Sequence, residues 1–202
     1  AGYGVLEVQH IRERDIQQIR ISPTELGTRV RALGKKISRD YRGEAVVLVG
    51  VLKGITFFLA DLARSITIPI AIDYLALARY AAAQPKDRVS IVRDIDIPIE
   101  GRHVLLVEDI VNTGLTLDFV LNRLRQRRPA SLDVVTLLDR PTRRLANVDI
   151  KYTGFQIPND YVVGYGLEFR ELYRYLPFIC VLKPSADQDR AQPSAGPDAS
   201  GR

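Results

Sequence analysis

The stretch Val104–Leu121, VLLVEDIVNTGLTLDFVL, decides the fold. Apolar residues run into two adjacent carboxylates, Glu108 and Asp109, and the chain then passes through Asn-Thr-Gly into apolar spacing of helical period. A continuous apolar run of strand length marks a strand buried on both faces, the habit of parallel sheets. Gly114 permits a sharp turn into the following helix. The residues from Asn112 to Thr116 can present backbone N–H groups and two hydroxyls, Thr113 and Thr116, to one point near a helix N-terminus, which is a cradle for phosphate. Glu108 and Asp109 would repel phosphate; they suit neutral hydroxyls or a divalent cation, so the combined site fits a sugar phosphate. The plain alternative is a strand ending in solvated acids before an ordinary capped helix. The Gly-Lys-Ser/Thr ending of a Walker loop is absent, and no GxGxxG occurs.

Outward from this stretch the same alternation recurs. SPTE, from Ser22, places Ser at a helix cap, Pro in the first turn and Glu25 three residues on. Leu26, Val30, Leu33 and Ile37 follow at helical spacing. EAVVLVGVL reads as a buried strand, ITFFLADLARSI as a helix, IAIDYLALARY as another buried strand, and Tyr80 to about Val89 as a mobile loop. SIVRDIDIPI suggests a short strand or hairpin. SLDVVTLLD, IKYTGFQI and YVVGYGL complete the series. Strands alternating with helices imply a mainly parallel sheet covered on both faces, with ligands at the carboxyl ends of its strands. The expected organisation is an arm over 1–21, one α/β domain over 22–183 and a disordered tail over 184–202, where large apolar residues almost vanish.

The chain has 202 residues, 46% hydrophobic and 26% charged, which suits one globular domain. No apolar run reaches the roughly 18 residues of a membrane span, and no signal-like segment opens the chain, so the cytoplasm is the expected location and no membrane partner is expected. The single cysteine, Cys180, lies in the apolar run FICVL and reads as a buried strand residue. A net charge of +5 and pI near 9.4 would allow polyanionic partners. The basic clusters NRLRQRRPAS and RPTRR, however, come after a helix pattern and a strand pattern without interleaved aromatics, and read as a solvated face. His10 and His103 carry no partner pattern.

VLLVEDIVNTGLTL resembles the phosphoribosyl-pyrophosphate motif of type I phosphoribosyltransferases, and specifically of the hypoxanthine/guanine phosphoribosyltransferase family. The likeness runs from about Ser22 to about Lys183, through VLKGITFFLADLAR, LLDRP and GFQIPNDYVVGYGLEFRELYRYLPFI. It implies a type I phosphoribosyltransferase fold: a mainly parallel sheet flanked by helices, plus a small hood subdomain built from both chain ends. It also implies Mg2+, phosphoribosyl pyrophosphate as donor, a purine-like base as acceptor and a homodimer or homotetramer. Glu108 and Asp109 would hold the ribose hydroxyls, directly or through the metal, and Thr113, Gly114, Leu115 and Thr116 the donor's phosphate. Lys53 and Gly54 would form the pyrophosphate loop, with a non-proline cis peptide before the lysine, and Arg174 would neutralise pyrophosphate. Tyr161 would stack on the base, and the Val162 backbone would bind its edge.

Four positions depart from the family pattern. Asn112 stands where the family has an aspartate that takes a proton from the purine, and an amide cannot be a general base. Arg140 replaces a lysine that reads the purine's 6-oxo group, Glu168 replaces a metal-binding aspartate, and Arg79 replaces a serine before the retained Tyr80. The donor-binding residues keep the pattern while the base side changes. That suggests transfer to an altered base, such as the 7-deazapurine 7-cyano-7-deazaguanine, whose nitrile an Asn could meet with a hydrogen bond. Ordinary hypoxanthine/guanine salvage is the alternative, an engineered Asp→Asn change at 112 belongs with it, and a non-catalytic ligand-sensing RNA-binding regulator is the contrasting class, although nucleic acid is not the expected partner.

Overall fold

A computed structural model of the chain describes residues 15–79 and 89–183. In chain order the elements are β1 (Ile16–Ile21), α1 (Pro23–Asp40), β2 (Val46–Leu52), α2 (Thr56–Ser65), β3 (Ile70–Arg79) and β4 (Val89–Arg93). Then come β5 (His103–Val111), α3 (Leu115–Arg125), β6 (Ser131–Asp139), β7 (Tyr152–Gln156), β8 (Val162–Val163) and β9 (Ile179–Leu182). Six strands form one sheet in the order β4-β3-β2-β5-β6-β7, parallel except for the antiparallel edge pair β3 and β4. This is the expected α/β architecture with a mainly parallel sheet.

Period-two alternation divides the strands between two cores. Val46, Leu48, Leu105 and Val107 face the cluster built with Leu26, Val30, Leu33 and Ile37 of α1 and Phe58, Leu59 and Leu62 of α2. Val47, Val49, Val104 and Leu106 face the opposite cluster, where Leu117, Val120, Leu121 and Leu124 of α3 pack with Ile95 and Ile99. Each fully buried Val or Leu contributes roughly 1.5–3 kcal/mol relative to exposure, so the uninterrupted apolar runs of β2 and β5 are what hold the sheet between its two layers. Helix α1 opens as expected: the Ser22 hydroxyl accepts from the Glu25 N–H at 3.3 Å and the Glu25 carboxylate accepts from the Ser22 N–H at 2.8 Å.

A second sheet, β1-β9-β8, is antiparallel and joins the two ends of the described chain into a hood. The segment before Ser22 supplies β1, which pairs with β9 from Ile16↔Leu182 to Ile21↔Ile179. One expectation changes here: YVVGYGL does not extend the parallel sheet, since β8 pairs with β9. Cys180 lies buried in β9, where burial pushes its thiol up to about 11. The loop expected from Tyr80 onward, most of the first 21 residues and the tail from residue 184 lie outside the described residues.

Strand–helix alternation also fails twice. Between β3 and β5 the face is covered by the segment carrying Ile95 and Ile99, and β6 leads to β7 through a 3-10 turn at Pro141–Arg143. The basic RPTRR is correspondingly not a solvated face throughout: Arg140 is buried, and Arg144 pairs with Asp139. Nor is β3 the wholly buried strand its apolar run suggests, since Ile72 is exposed while Asp73 is buried.

Asp73 is what ties β3 to the connection that precedes β5. Its carboxylate accepts from the N–H groups of Asp96 at 2.7 Å, Ile97 at 2.8 Å and its own neighbour Tyr74 at 2.7 Å. Burial pushes its pKa up, but the three N–H groups, with Arg93 nearby, outweigh burial and hold it below the usual carboxylate range. A lowered folded value means stability that is present above the unfolded pKa of about 3.9 and lost as pH falls through the folded one. Asp73→Asn turns a donor toward N–H groups and should cost about 1–3 kcal/mol in urea unfolding at neutral pH. The deficit should shrink as the same measurement is taken into acid.

Candidate functional site

Strands β2 and β5 pair only as far as Gly50↔Val107, whereas β2 continues beside β3 to Leu52↔Ala76 and β5 beside β6 to Val111↔Asp139. The two central strands therefore part at Glu108. This is also where strand order reverses, with β3 on one side of β2 and β5 on the other, the switch point at which open α/β sheets receive ligands. A cavity of about 680 Å³ occupies the opening.

From β5 come Glu108, buried, and Asp109, and both line the cavity. Burial pushes the Asp109 carboxyl up to about 6, opposed by the Ile110 N–H, which it accepts at 2.6 Å, and by the charge of Arg174. Asp109 also lies hard against Gly54, where a Cβ would overlap its carboxylate. The turn after β5 is shaped by Gly114, whose φ of 80° is left-handed and whose missing Cβ would meet Val148 at 3.1 Å and Arg144 at 3.2 Å. The Thr113 carbonyl accepts from the N–H groups of Leu145 at 2.8 Å and Ala146 at 3.0 Å, which holds the turn in place. Helix α3 starts after Gly114, which has no side chain to cap it; the Leu115 N–H donates to the Thr113 hydroxyl at 3.4 Å, and the turn that opens the helix lines the cavity, where an anion would meet the helix N-terminus. Thr113, Gly114 and Thr116 line the cavity; the Leu115 side chain is exposed and does not.

Lys53 and Gly54 follow β2 across a cis Leu52–Lys53 peptide, as expected. The Lys53 carbonyl accepts from the Thr56 hydroxyl at 2.7 Å, which joins the loop to α2. Across the cavity Arg174 donates to the Gly166 carbonyl at 2.9 Å and to Glu171 at 3.2 Å, and Lys53 reaches the same Glu171 carboxylate at 3.1 Å. Glu171 was not singled out from the sequence. Its only signal is an acid three residues before Arg174, and its position depends on a hood loop in which Tyr165, Arg170, Glu171 and Tyr173 all have positive φ.

On the base side, Arg140 is 5% exposed and donates to the Asn112 carbonyl oxygen at 3.0 Å and to the Asp160 carbonyl. Burial and the neighbouring Arg143 pull its pKa down, against Asp160 and Tyr161. Tyr161 is exposed, donates to the Glu168 carbonyl at 2.9 Å and meets Phe169 edge-on at 5.9 Å; Val162 is buried beside it. Glu168 lines the cavity, yet its carboxylate accepts from the Glu171 N–H at 2.6 Å. Among the described residues no group of three acids, histidines or cysteines could hold a metal, so Glu108, Asp109 and Glu168 do not converge as a metal-binding set. Arg79 ends β3, and Tyr80 lies outside the described residues.

The phosphoribosyl transferase domain matches residues 17–170. The chain belongs to the phosphoribosyl transferase family. This phosphoribosyl transferase is 40% identical over 171 residues to the hypoxanthine-guanine phosphoribosyltransferase of Staphylococcus aureus, a span covering 84% of this chain and 96% of that protein. The crystal structure of a Staphylococcus aureus hypoxanthine phosphoribosyltransferase superposes with a TM-score of 0.84 at 38% identity, covering 89% of this chain and 98% of that one. A third neighbour, at TM-score 0.82 and 36% identity, covers 87% of this chain and 97% of that one; it is an asparagine mutant from an analysis of an invariant aspartic acid in HPRTs. No helix among the described residues is long and apolar enough to cross a membrane.

Proposed function

We propose that this phosphoribosyl transferase moves a 5-phosphoribosyl group from phosphoribosyl pyrophosphate to a ring nitrogen of hypoxanthine or guanine and releases pyrophosphate. The observation that carries this reading is the convergence, at one switch point, of three chemically different subsites. They are the acids Glu108 and Asp109, the turn at Gly114 that opens helix α3, and the cations Lys53 and Arg174. The turn takes the donor's 5-phosphate on N–H groups, the acids take the ribose hydroxyls, and Lys53 and Arg174 take the charge that develops on pyrophosphate. Tyr161, Val162 and Arg140 receive the base. The names of the relatives favour hypoxanthine and guanine; the 7-deazapurine acceptor suggested by Asn112 finds no support in them.

Two carboxylates with no third protein ligand grouped beside them among the described residues suit a magnesium ion held largely by substrate oxygens, and Glu108 and Asp109 are the residues that would hold it. Bound there, the ion would neutralise phosphate charge. Homodimer or homotetramer assembly belongs to the same reading, and sedimentation tests it.

The deciding assay supplies donor and magnesium with hypoxanthine, guanine, xanthine, adenine or 7-cyano-7-deazaguanine in turn. Pyrophosphate release that depends on hypoxanthine or guanine is the expected result. Release with none of the five, together with salt-dependent RNA binding, would put a non-catalytic regulator in its place. The proposal also gives Glu171 a role as an internal competitor, because its carboxylate lies between the two cations that pyrophosphate needs. Glu171→Gln should tighten inorganic pyrophosphate binding about threefold by calorimetry, the size expected for freeing exposed ion pairs. Unchanged affinity would mean that the carboxylate and the ligand do not compete.

A further inference from the structure

We propose that Asn112 reads the second imidazole nitrogen of the acceptor, N7, as a hydrogen-bond donor, and that Arg140 is the positioning residue that fixes its orientation. The inference deepens the purine-acceptor reading and rests on it. A guanidinium has only donors, so the Asn112 atom 3.0 Å from Arg140 must be the amide oxygen. Arg140 has little freedom to let go. It is 5% exposed, its second terminal nitrogen donates to the Asp160 carbonyl, and its backbone N–H donates to the Val111 carbonyl at 3.0 Å. With the oxygen committed, the other end of the amide is an NH2 group, which can donate and cannot accept. Asn112 lines the cavity next to Arg140, so the base meets a donor there.

A donor at this position sorts the states of a purine. It clashes with the tautomer that carries hydrogen on N7. It matches the three species whose N7 holds a free lone pair: the nucleotide, the neutral base with its hydrogen on N9, and the azole anion of the base. Of the two base forms only the anion has a free lone pair on N9 as well, so the acceptor reacts as its anion, its azole proton having gone to solvent. The anion's N9 lone pair forms the bond to the ribosyl carbon while the bond from that carbon to pyrophosphate breaks, and the electron pair leaves with pyrophosphate. No proton remains for the protein to remove, which is why an amide suffices at 112.

Binding tests this without turnover. The whole chain is titrated with inosine 5′-monophosphate and with its 7-deaza analogue, which has C–H in place of the N7 lone pair. The natural nucleotide should bind about fivefold tighter, the worth of one neutral hydrogen bond. The preference should disappear in Asn112→Asp, whose carboxylate repels the lone pair, and weaken in Arg140→Lys, which frees the amide to turn. Equal affinities in the unsubstituted protein overturn the inference and leave the purine reading standing; failure of both nucleotides to bind overturns both.

A kinetic arm compares hypoxanthine with 8-azahypoxanthine, whose extra ring nitrogen makes the azole N–H more acidic. Charged or titratable groups line the cavity from the loop after β2 (Lys53), from β5 (Glu108, Asp109), from the end of β6 (Arg140) and from the hood side (Tyr161, Glu168, Glu171, Arg174), and they act on both acceptors alike. The rising limb of kcat/KM should follow the acceptor and lie at lower pH for the 8-aza base. Superimposed profiles would overturn the inference.

Discussion

Asn112→Asp should raise kcat/KM for hypoxanthine by about 10²-fold or more near neutral pH, the usual worth of a correctly placed general base. The change keeps the side chain's shape, so the gain comes from chemistry and not from repacking. A carboxylate at 112 would accept the Arg140 hydrogen bond that the amide oxygen now accepts at 3.0 Å, and the bond would become charge-assisted. Its second oxygen would face the base as an acceptor, matched to the N7–H tautomer of the base that is not ionised. The gain should be greatest below the ionisation of the base and fade above it, where the anion is available without help. The measurement is the pH profile of both forms with a common donor concentration. An Asp variant no faster than the unsubstituted protein at any pH would mean that residue 112 does not face the acceptor, and the cavity would then need a different base orientation.

Why the sequence disclosed some of this and not the rest follows from what each feature rests on. β5, its two acids and the Gly114 turn were legible because they are local: apolar runs fix a buried strand, and a left-handed turn wants glycine. The opening itself was not legible. It arises because β2 and β5 stop pairing at Gly50↔Val107, and pairing length is a relation between distant segments. The same limit misplaced YVVGYGL. A two-residue strand has no periodicity to say which sheet it joins, and β8 joins β9. Glu171 escaped notice for a third reason, since its role depends on a loop folded through positive φ at non-glycine residues, which composition does not announce. Asn112 and Arg140 were each visible as departures. That they form one hydrogen-bonded unit appears only when β5 and β6 are paired to Val111↔Asp139, which brings the two strand ends together.

Gly54→Ala should abolish most activity while costing the fold little more than about 1–3 kcal/mol, the range for an added methyl in a packed place. The Cβ would overlap the Asp109 carboxylate, and the adjoining hood backbone gives no room to retreat, because Gly166 packs directly on the Gly54 carbonyl. Something must move, and the carboxylate is the softer partner. Displacing a positioning group by about 1 Å can cost 10²-fold, so kcat/KM for the donor should fall by at least about that factor. The loss should be steeper with donor concentration than with base, since Gly54 touches the acid read as holding ribose. Gly27→Ala supplies the contrast. Gly27 lies in α1, where a new Cβ meets only the flexible end of Arg31 at 3.2 Å, so the substitution should be neutral or stabilising by up to about 1 kcal/mol with unchanged kinetics. If Gly54→Ala kept its donor KM while Gly27→Ala behaved as expected, the contact between the β2 loop and Asp109 would be packing alone, and the ribose would have to be held elsewhere in the cavity.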